Sequence, residues 1–404
     1  MEQDIRKILN ITIESPYWEE ALAEATAMEE IPHWLTDEFL QGMERELEII
    51  GDDFPAAMEY LSKLRQTPAL LLFAKVIYQI LCRRKGFAAA FPTFEIPLDT
   101  SGDFDFITLL PLLAHVAIYG RELSQRGIDR QVIYDTLLFL RYSIKESHKL
   151  HGKPCFNTPN GFAIYGAYMY CNMLCVDPLR FEIHPNSDRK VRVFRSGDGK
   201  LCALMCGTTL HATGNLLGAI GFTDEAGAFD ANFLETEEYY EGHPIDDETH
   251  LASPTRIQLP KNQWVQILAP GDTLLKVHIP GIARNPFSKE ACEAAYQKGI
   301  DIYKNLYPEY DFKGFVCNTW LLNPNLQKIL KKDSNIVKFQ EPYLLIPARN
   351  DAPDVFLYVY GMNVKSAAEV DAAALPEDNS MRRGVKKLLQ EGIYIHQYNG
   401  FIPF

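Results

Sequence analysis

Hydrophobic residues recur at helical spacing through the first half of the chain. After Thr36, a residue type that caps helices, the apolar positions are Phe39, Leu40, Met43, Leu47 and Ile50. Residues 69–84 are apolar on most faces and are followed by Lys85 and Gly86, which is typical of a helix end. Helices are also predicted over residues 105–126, 129–149 and 161–174. The pattern therefore predicts a helical N-terminal region.

Short runs typical of strands replace this pattern from Leu179 onward. Residues 192–195 and 201–205 flank Ser-Gly-Asp-Gly at 196–199, which predicts a hairpin because Asp-Gly tolerates positive φ. Residues 263–268 and 273–279 flank Pro270-Gly271-Asp272, and a second hairpin is predicted there. The carboxylate-rich residues 235–248 are interpreted as a solvated insertion.

The stretch from Trp264 to Gly361 has the most informative order of elements. A strand at residues 273–279 is followed by a helix from Ser288 to Pro308, a strand at 314–320, a short helix after Pro324 and two more strands. With the helical first half, this β-α-β-α-β-β order predicts an α+β protein. We expect a helical domain at residues 1–155 to pack on a mixed-sheet domain at residues 156–404.

Composition narrows the function classes. The 404 residues are 47% hydrophobic and 23% charged, which are ordinary globular values, and the net charge of −13 argues against nucleic acid as a partner. No apolar run is long enough for a membrane helix, and the N-terminus lacks the pattern of a signal peptide. Eight cysteines are too few for a disulfide scaffold, so we expect a cytoplasmic protein.

Three motifs strengthen the interpretation of the C-terminal half. They are His278-Ile279-Pro280, the run from Cys317 to Asn323, and Ser334-Asn335-Ile336-Val337-Lys338-Phe339. The chain resembles bacterial GNAT-like acyltransferases, which join a helical N-acyltransferase domain to a GNAT-like domain. The resemblance implies that the third motif forms a strand. Thr319 and Asn323 stand where the family has serine and aspartate. The phosphate-binding signature of acetyltransferases is absent from residues 281–288.

The resemblance implies a site for acetyl-coenzyme A or another acyl-coenzyme A between two parallel strands, residues 274–279 and 315–320. In GNAT proteins such strands diverge, and the pantetheine arm bonds to the exposed backbone groups. The pyrophosphate would lie at the following loop and helix start, at Gly281, Arg284, Ser288 and Lys289. Val316, Asn318 and Trp320 would line the pantetheine groove.

Acyl transfer to an amine requires a group that takes a proton from the amine and a donor that stabilises the departing thiolate, and no metal is expected. The candidates for proton transfer are His278 and Glu182, and the alternative for each is a structural contact within the fold. Cys317 is a candidate nucleophile for a cysteine-dependent hydrolase, although its apolar strand favours a packing role.

Two other clusters could bind metal but have simpler interpretations. Cys171-x3-Cys175 and Cys202-x3-Cys206 resemble a zinc quartet, and packing is the simpler interpretation. The cluster of His243, Asp246, Asp247, Glu248 and His250 could bind a cation but fits a solvated loop.

The leading hypothesis is an acyl-coenzyme A-dependent N-acyltransferase that acts on a small amine or amino sugar. The alternative is a non-catalytic binding protein that keeps the acyltransferase fold. The sequence does not define the oligomeric state.

Overall fold

The computed structural model describes residues 5–83, 93–95, 102–153, 173–185, 190–281 and 283–404. The chain divides into two compact units. The first comprises Met1–Glu182 and Ile279–Arg284, and the second comprises Ile183–His278 and Asn285–Phe404. The domain boundary predicted near residue 155 lies outside the described residues.

The first unit is built from helices. Their bounds are α1 Ile5–Leu9, α2 Trp18–Ala27, α3 Asp37–Leu47, α4 Phe54–Gln66, α5 Pro68–Arg83, α6 Leu109–Gln125, α7 Arg130–Leu137 and α8 Phe139–His151. The Thr36 side chain accepts the hydrogen bond of the Phe39 amide, which confirms the predicted cap of α3. Helix α5 buries Phe73, Val76 and Ile77 completely, as its apolar faces predict.

Two helix predictions in this unit need correction. The helix predicted over residues 129–149 is two helices, α7 and α8, which are separated at Leu138. The Asp129 side chain caps the first of them. Of the helix predicted at 161–174, residues 161–172 lie outside the described residues, and Leu174 begins a strand, β3 Leu174–Val176. β3 pairs antiparallel with the start of β4 Leu179–Pro185. β1 Thr12–Glu14 pairs antiparallel with β2 Thr93–Glu95.

The second unit begins with an antiparallel sheet in the order β11-β10-β6-β5-β12. Its strands are β5 Val191–Ser196, β6 Leu201–Met205, β10 Tyr239–Pro244, β11 Ile257–Pro260 and β12 Trp264–Leu268, and β9 Leu234–Glu235 pairs with β10. A separate two-stranded sheet consists of β7 Thr208–Leu210 and β8 Phe229–Ala231. The pairing of β5 with β6 confirms the hairpin at 196–199. The solvated insertion predicted at 235–248 is wrong: β10 lies inside the sheet, with His243 buried and bonded to the Ser253 carbonyl.

A second group of strands in this unit has the order β15-β16-β14-β13. The strands are β13 Thr273–His278, β14 Phe312–Thr319, β15 Leu344–Pro347 and β16 Tyr398–Pro403. The hairpin predicted around Pro270 is wrong, because β12 pairs with β5 whereas β13 pairs in parallel with β14. Helix α9 Lys289–Leu306 joins β13 to β14, as the predicted order requires.

The segment between β14 and β16 departs from prediction. Residues Asn335–Gln340 form a short helix, α10, rather than a strand, because the Ser334 side chain caps it at the Val337 amide. Phe356–Tyr360 form a π-helical turn rather than the last predicted strand. Helix α11 Ser380–Gln390 follows, and the Asn379 side chain caps it by accepting from the Arg382 amide.

The core of the second unit lies between its two sheets. Val191, Val193, Ala203 and Met205 from β5 and β6 form one buried cluster with inward residues of the second group of strands, Leu274, Ile346 and Phe401. Strand alternation explains this arrangement, because every second residue points to the same face. In the described part of the chain, no helix combines the length and hydropathy needed to cross a membrane.

Candidate functional site

The parallel contact between β13 and β14 stops before the strands do. Registered pairs run from Thr273–Phe312 to Lys276–Val316, with a shift between the first two pairs. Strand β13 continues to His278 and β14 to Thr319, and β14 stays in register with β16 as far as Thr319–Tyr398. Among the described residues, Lys276–Val316 is therefore the last registered pair of the two strands.

A cavity of about 420 Å³ lies at this last registered pair, on the sheet face that carries Lys276, Val316 and Asn318. Apolar side chains form much of its wall: Val191, Leu268, Leu274, Val316, Ile346 and Phe401. Its polar groups are basic or neutral: His184, Lys190, Lys276, Asn318 and Asn399. No acidic residue is among the lining residues. A cavity with this wall suits a partly apolar ligand with a negative or neutral polar group.

Lys276 is one of the two lysines that line this wall. It is half-buried, and in the described part of the chain no carboxylate lies within ion-pair distance of its ammonium. Beside it, the Asn318 side chain donates from Nδ2 to Asn399 Oδ1 at 2.6 Å. Val316 and Asn318, two of the predicted cofactor-binding residues, are thus placed together in the cavity.

The structure opposes the nucleophile hypothesis for Cys317. Its side chain is only 1% exposed, and burial raises the pKa of its thiol to about 12, so the reactive thiolate is absent at neutral pH. Cys317 lies one residue out of phase with Val316 and Asn318. Because side chains alternate along a strand, Phe315 and Cys317 share the opposite face of β14. The ring centroid of Phe315 lies 4.9 Å from that of Tyr296 of α9.

The two proton-transfer candidates lie on different strands, His278 on β13 and Glu182 within β4. His278 is the half-buried last residue of β13, two residues beyond Lys276. Glu182 is buried, with 4% exposure, and it is the last residue of the first unit before the chain enters the second. Both residues make interactions within the fold.

Arg284 has a structural partner in the first unit. Its Nε donates to Asp135 Oδ1 at 2.7 Å, a second guanidinium nitrogen bonds the other carboxylate oxygen, and its amide donates to Asp177 at 2.8 Å. Hydrogen bonding to Asp135 raises the pKa of Arg284. A Cβ on Gly281 would come within 3.2 Å of the Tyr142 ring, so this glycine permits a close approach of the chain. These contacts position the loop without a phosphate.

The start of α9 and Trp320 also have local roles. The Ser288 side chain caps α9 by accepting from the Ala291 amide. Lys289 pairs with Glu341 at 3.0 Å, which raises the pKa of the lysine. Trp320 is 8% exposed and packs in the cluster formed with α11, not in the cavity.

Residues that the sequence did not single out complete the cavity. Lys276 carries a recognisable signal, a lysine in an otherwise apolar strand core. Asn399 carries none, because only the register of β16 against β14 places it opposite Asn318. Within the described residues, no group of three or more His, Cys, Asp or Glu side chains could hold a metal ion.

The fold and the cavity define an α+β protein with a GNAT-like sheet, and comparison with known proteins assigns the family. The family model of the GNAT-like C-terminal domain matches residues 187–402, more than half of the chain, so the chain belongs to this family. No curated protein sequence matches.

Solved structures share this fold over nearly the full length. One is a mutant acyltransferase in complex with octanoyl-CoA, with 16% identity, 99% of this chain and 98% of that chain covered, and a TM-score of 0.62. Another is an acyltransferase in complex with decanoyl-CoA and teicoplanin, with 16% identity, the same coverages of 99% and 98%, and a TM-score of 0.59. At this identity the similarity shows the fold.

Proposed function

We propose that the protein is an acyl-coenzyme A-dependent N-acyltransferase that acts on a small amine or an amino sugar in the cytoplasm. The observation that carries the proposal is the end of β13–β14 registration at Lys276–Val316, directly at the cavity. No registered pair of β13 with β14 follows this point, so the proposal takes the ends of the two strands as an open edge. An extended arm with amide groups can bond to such an edge as an additional strand.

The structural neighbours support the choice of donor. The two solved acyltransferase structures are complexes with octanoyl-CoA and with decanoyl-CoA, and teicoplanin is part of the second complex only. Within this chain, the apolar wall formed by Val316, Ile346 and Phe401 suits the hydrocarbon part of an acyl thioester. The described cysteines are free thiols, which fits a reducing compartment.

The proposed chemistry is direct transfer. The amine nitrogen attacks the thioester carbonyl, a C–N bond forms, and the C–S bond breaks to release the thiol of coenzyme A. His278, at the end of β13, is the proposed group that takes the proton of the amine, with Glu182 as the second candidate. The proton is passed on to the departing thiolate. No covalent enzyme intermediate is needed, so the burial of Cys317 is compatible with this route.

Calorimetric titration with acetyl-, octanoyl- and decanoyl-coenzyme A tests the proposal. Wild-type protein should bind at least one of them, and Val316→Phe, which fills the cavity, should weaken that binding at least about tenfold. Val265→Phe is the matched control, because Val265 is 65% exposed on β12 and outside the cavity. Absence of binding up to millimolar concentrations in folded protein would refute the proposal.

One observation favours a second candidate, a non-catalytic binding protein. Arg284 and Lys289, the predicted phosphate ligands, both have carboxylate partners in the structure. If this candidate is right, ligands bind in the cavity but thiol release from acyl-coenzyme A is not accelerated by any amine. Thiol release measured with a panel of amines and amino sugars separates the two candidates.

A further inference from the structure

Lys276 differs from other partly buried lysines of the second unit in lacking an acidic partner. Lys289 and Lys338 share Glu341, and Lys386 pairs with Glu377 at 2.6 Å. Lys276 has no carboxylate within ion-pair distance among the described residues, although it is half-buried beside apolar side chains. Partial burial of an ammonium group costs free energy unless an opposite charge compensates it. The cavity therefore contains a positive charge whose counterion is not supplied by the described residues.

The rest of the wall indicates what kind of anion fits. The polar lining residues include Lys190 and His184 but no acid, so an ammonium-rich ligand would be repelled. The apolar residues Val316, Ile346 and Phe401 disfavour a highly hydrated polyanion such as a pyrophosphate. A single carboxylate attached to an apolar body matches both halves of the wall.

We infer that the cavity binds the carboxylate of an apolar amino acid or peptide-like acceptor, with the Lys276 ammonium as its counterion. The inference rests on the proposed function for the role of this molecule as the acceptor. The carboxylate pairs with Lys276, and the carboxamides of Asn318 and Asn399 border the polar end. The apolar side chain of the acceptor lies against Val191, Leu268 and Leu274, which leaves Val316, Ile346 and Phe401 to the acyl chain of the donor. After transfer, the product is an N-acyl amino acid, and the carboxylate takes no part in bond making or breaking.

Two probes that differ only in charge test this inference. N-octanoyl-leucine carries the carboxylate, and its primary amide has the same shape without the charge. Calorimetric titration of the full chain should give a dissociation constant at least about tenfold lower for the acid, the range of a hydrogen bond to a charged group. In Lys276→Met, the acid and the amide should bind equally. Lys313→Met is the matched control, because Lys313 lies on the neighbouring strand β14 outside the cavity, and this variant should keep the preference.

Each result decides the question. Equal binding of acid and amide by the wild-type protein, or binding of neither, overturns the inference. A preference that survives in Lys276→Met also overturns it. If Lys276→Met weakens the binding of coenzyme A itself tenfold and keeps the preference for the acid, the inference is overturned and the lysine binds the donor instead. Acyl-coenzyme A titrations of the same samples report on the proposed function separately, so either idea can fail alone.

Discussion

Breaking the ion pair between Arg284 and Asp135 tests whether Arg284, in the loop after β13, binds phosphate or stabilises the first unit. We consider the substitution Arg284→Met, which keeps much of the side-chain length and removes the charge. Asp135 receives two hydrogen bonds from the guanidinium and a third from Gln131 at 3.0 Å. Without Arg284, the carboxylate stays in place and loses its positive partner.

The magnitude follows from the burial of the two partners. The Asp135 side chain is 5% exposed, whereas that of Arg284 is 44% exposed. Breaking a fully buried pair costs roughly 3–5 kcal/mol, and screening by water on the arginine side reduces this to about 2 kcal/mol. For a unit of this size, such a loss lowers the melting temperature by about 4–8 °C.

Thermal unfolding followed by circular dichroism measures this shift, and two variants interpret it. Lys289→Met removes an exposed surface pair and should change the melting temperature little. Asp135→Asn introduced into Arg284→Met removes the unpaired buried charge and should restore part of the lost stability. If Arg284→Met melts like the wild type but loses affinity for acyl-coenzyme A, the structural interpretation of Arg284 is refuted and the phosphate prediction is restored.

Four further changes have defined outcomes. Cys317→Ala should cost about 1–2 kcal/mol in unfolding free energy and leave turnover intact; loss of turnover at full stability would revive the nucleophile hypothesis. Gly314→Ala places a Cβ 2.3 Å from the Ile402 carbonyl oxygen, so chemical denaturation should show a loss of roughly 3 kcal/mol, and an unchanged midpoint would contradict the close approach. Ser288→Ala removes the cap of α9 and should cost about 1 kcal/mol by the same assay, and an unchanged midpoint would show that the cap does not stabilise the helix. Burial lowers the pKa of His115 to about 4, whereas the unfolded histidine has a pKa of about 6.5. The free energy of unfolding should therefore be unaffected by this group above about pH 6.5 and should fall by up to about 3 kcal/mol as the pH falls toward 4. An equal pH slope in His115→Gln would exclude this histidine as the cause.

Local signals in the sequence predicted many elements correctly. Thr36 caps α3 through its side chain, and the Asp-Gly turn at 198–199 joins two paired strands. These features succeed because the interacting atoms are within a few residues of one another. Helix α9 was also predictable, because two consecutive parallel strands need a crossover connection, which is usually a helix.

The errors arose where local preference competes with other interactions. Ile336 and Val337 favour strands by residue type, but the Ser334 cap and the burial of Phe339 produce a helix. The turn at Pro270 has hairpin chemistry, yet its flanking strands pair with β5 and β14, at a distance that no local pattern encodes. The site was only partly predictable for the same reason: Val316 and Asn318 were found by resemblance, whereas Asn399 depends on long-range register.

The position of β16 has a consequence for how the protein is made. This strand comes after all the others in sequence, yet it lies between β15 and β14 in the sheet. During ribosomal synthesis, β14 and β15 leave the exit tunnel with open edges and must wait for residues 398–403 before they can join. We expect nascent chains to depend on chaperones in this interval, and a bulky fusion placed next to residue 403 to divert the polypeptide into aggregates.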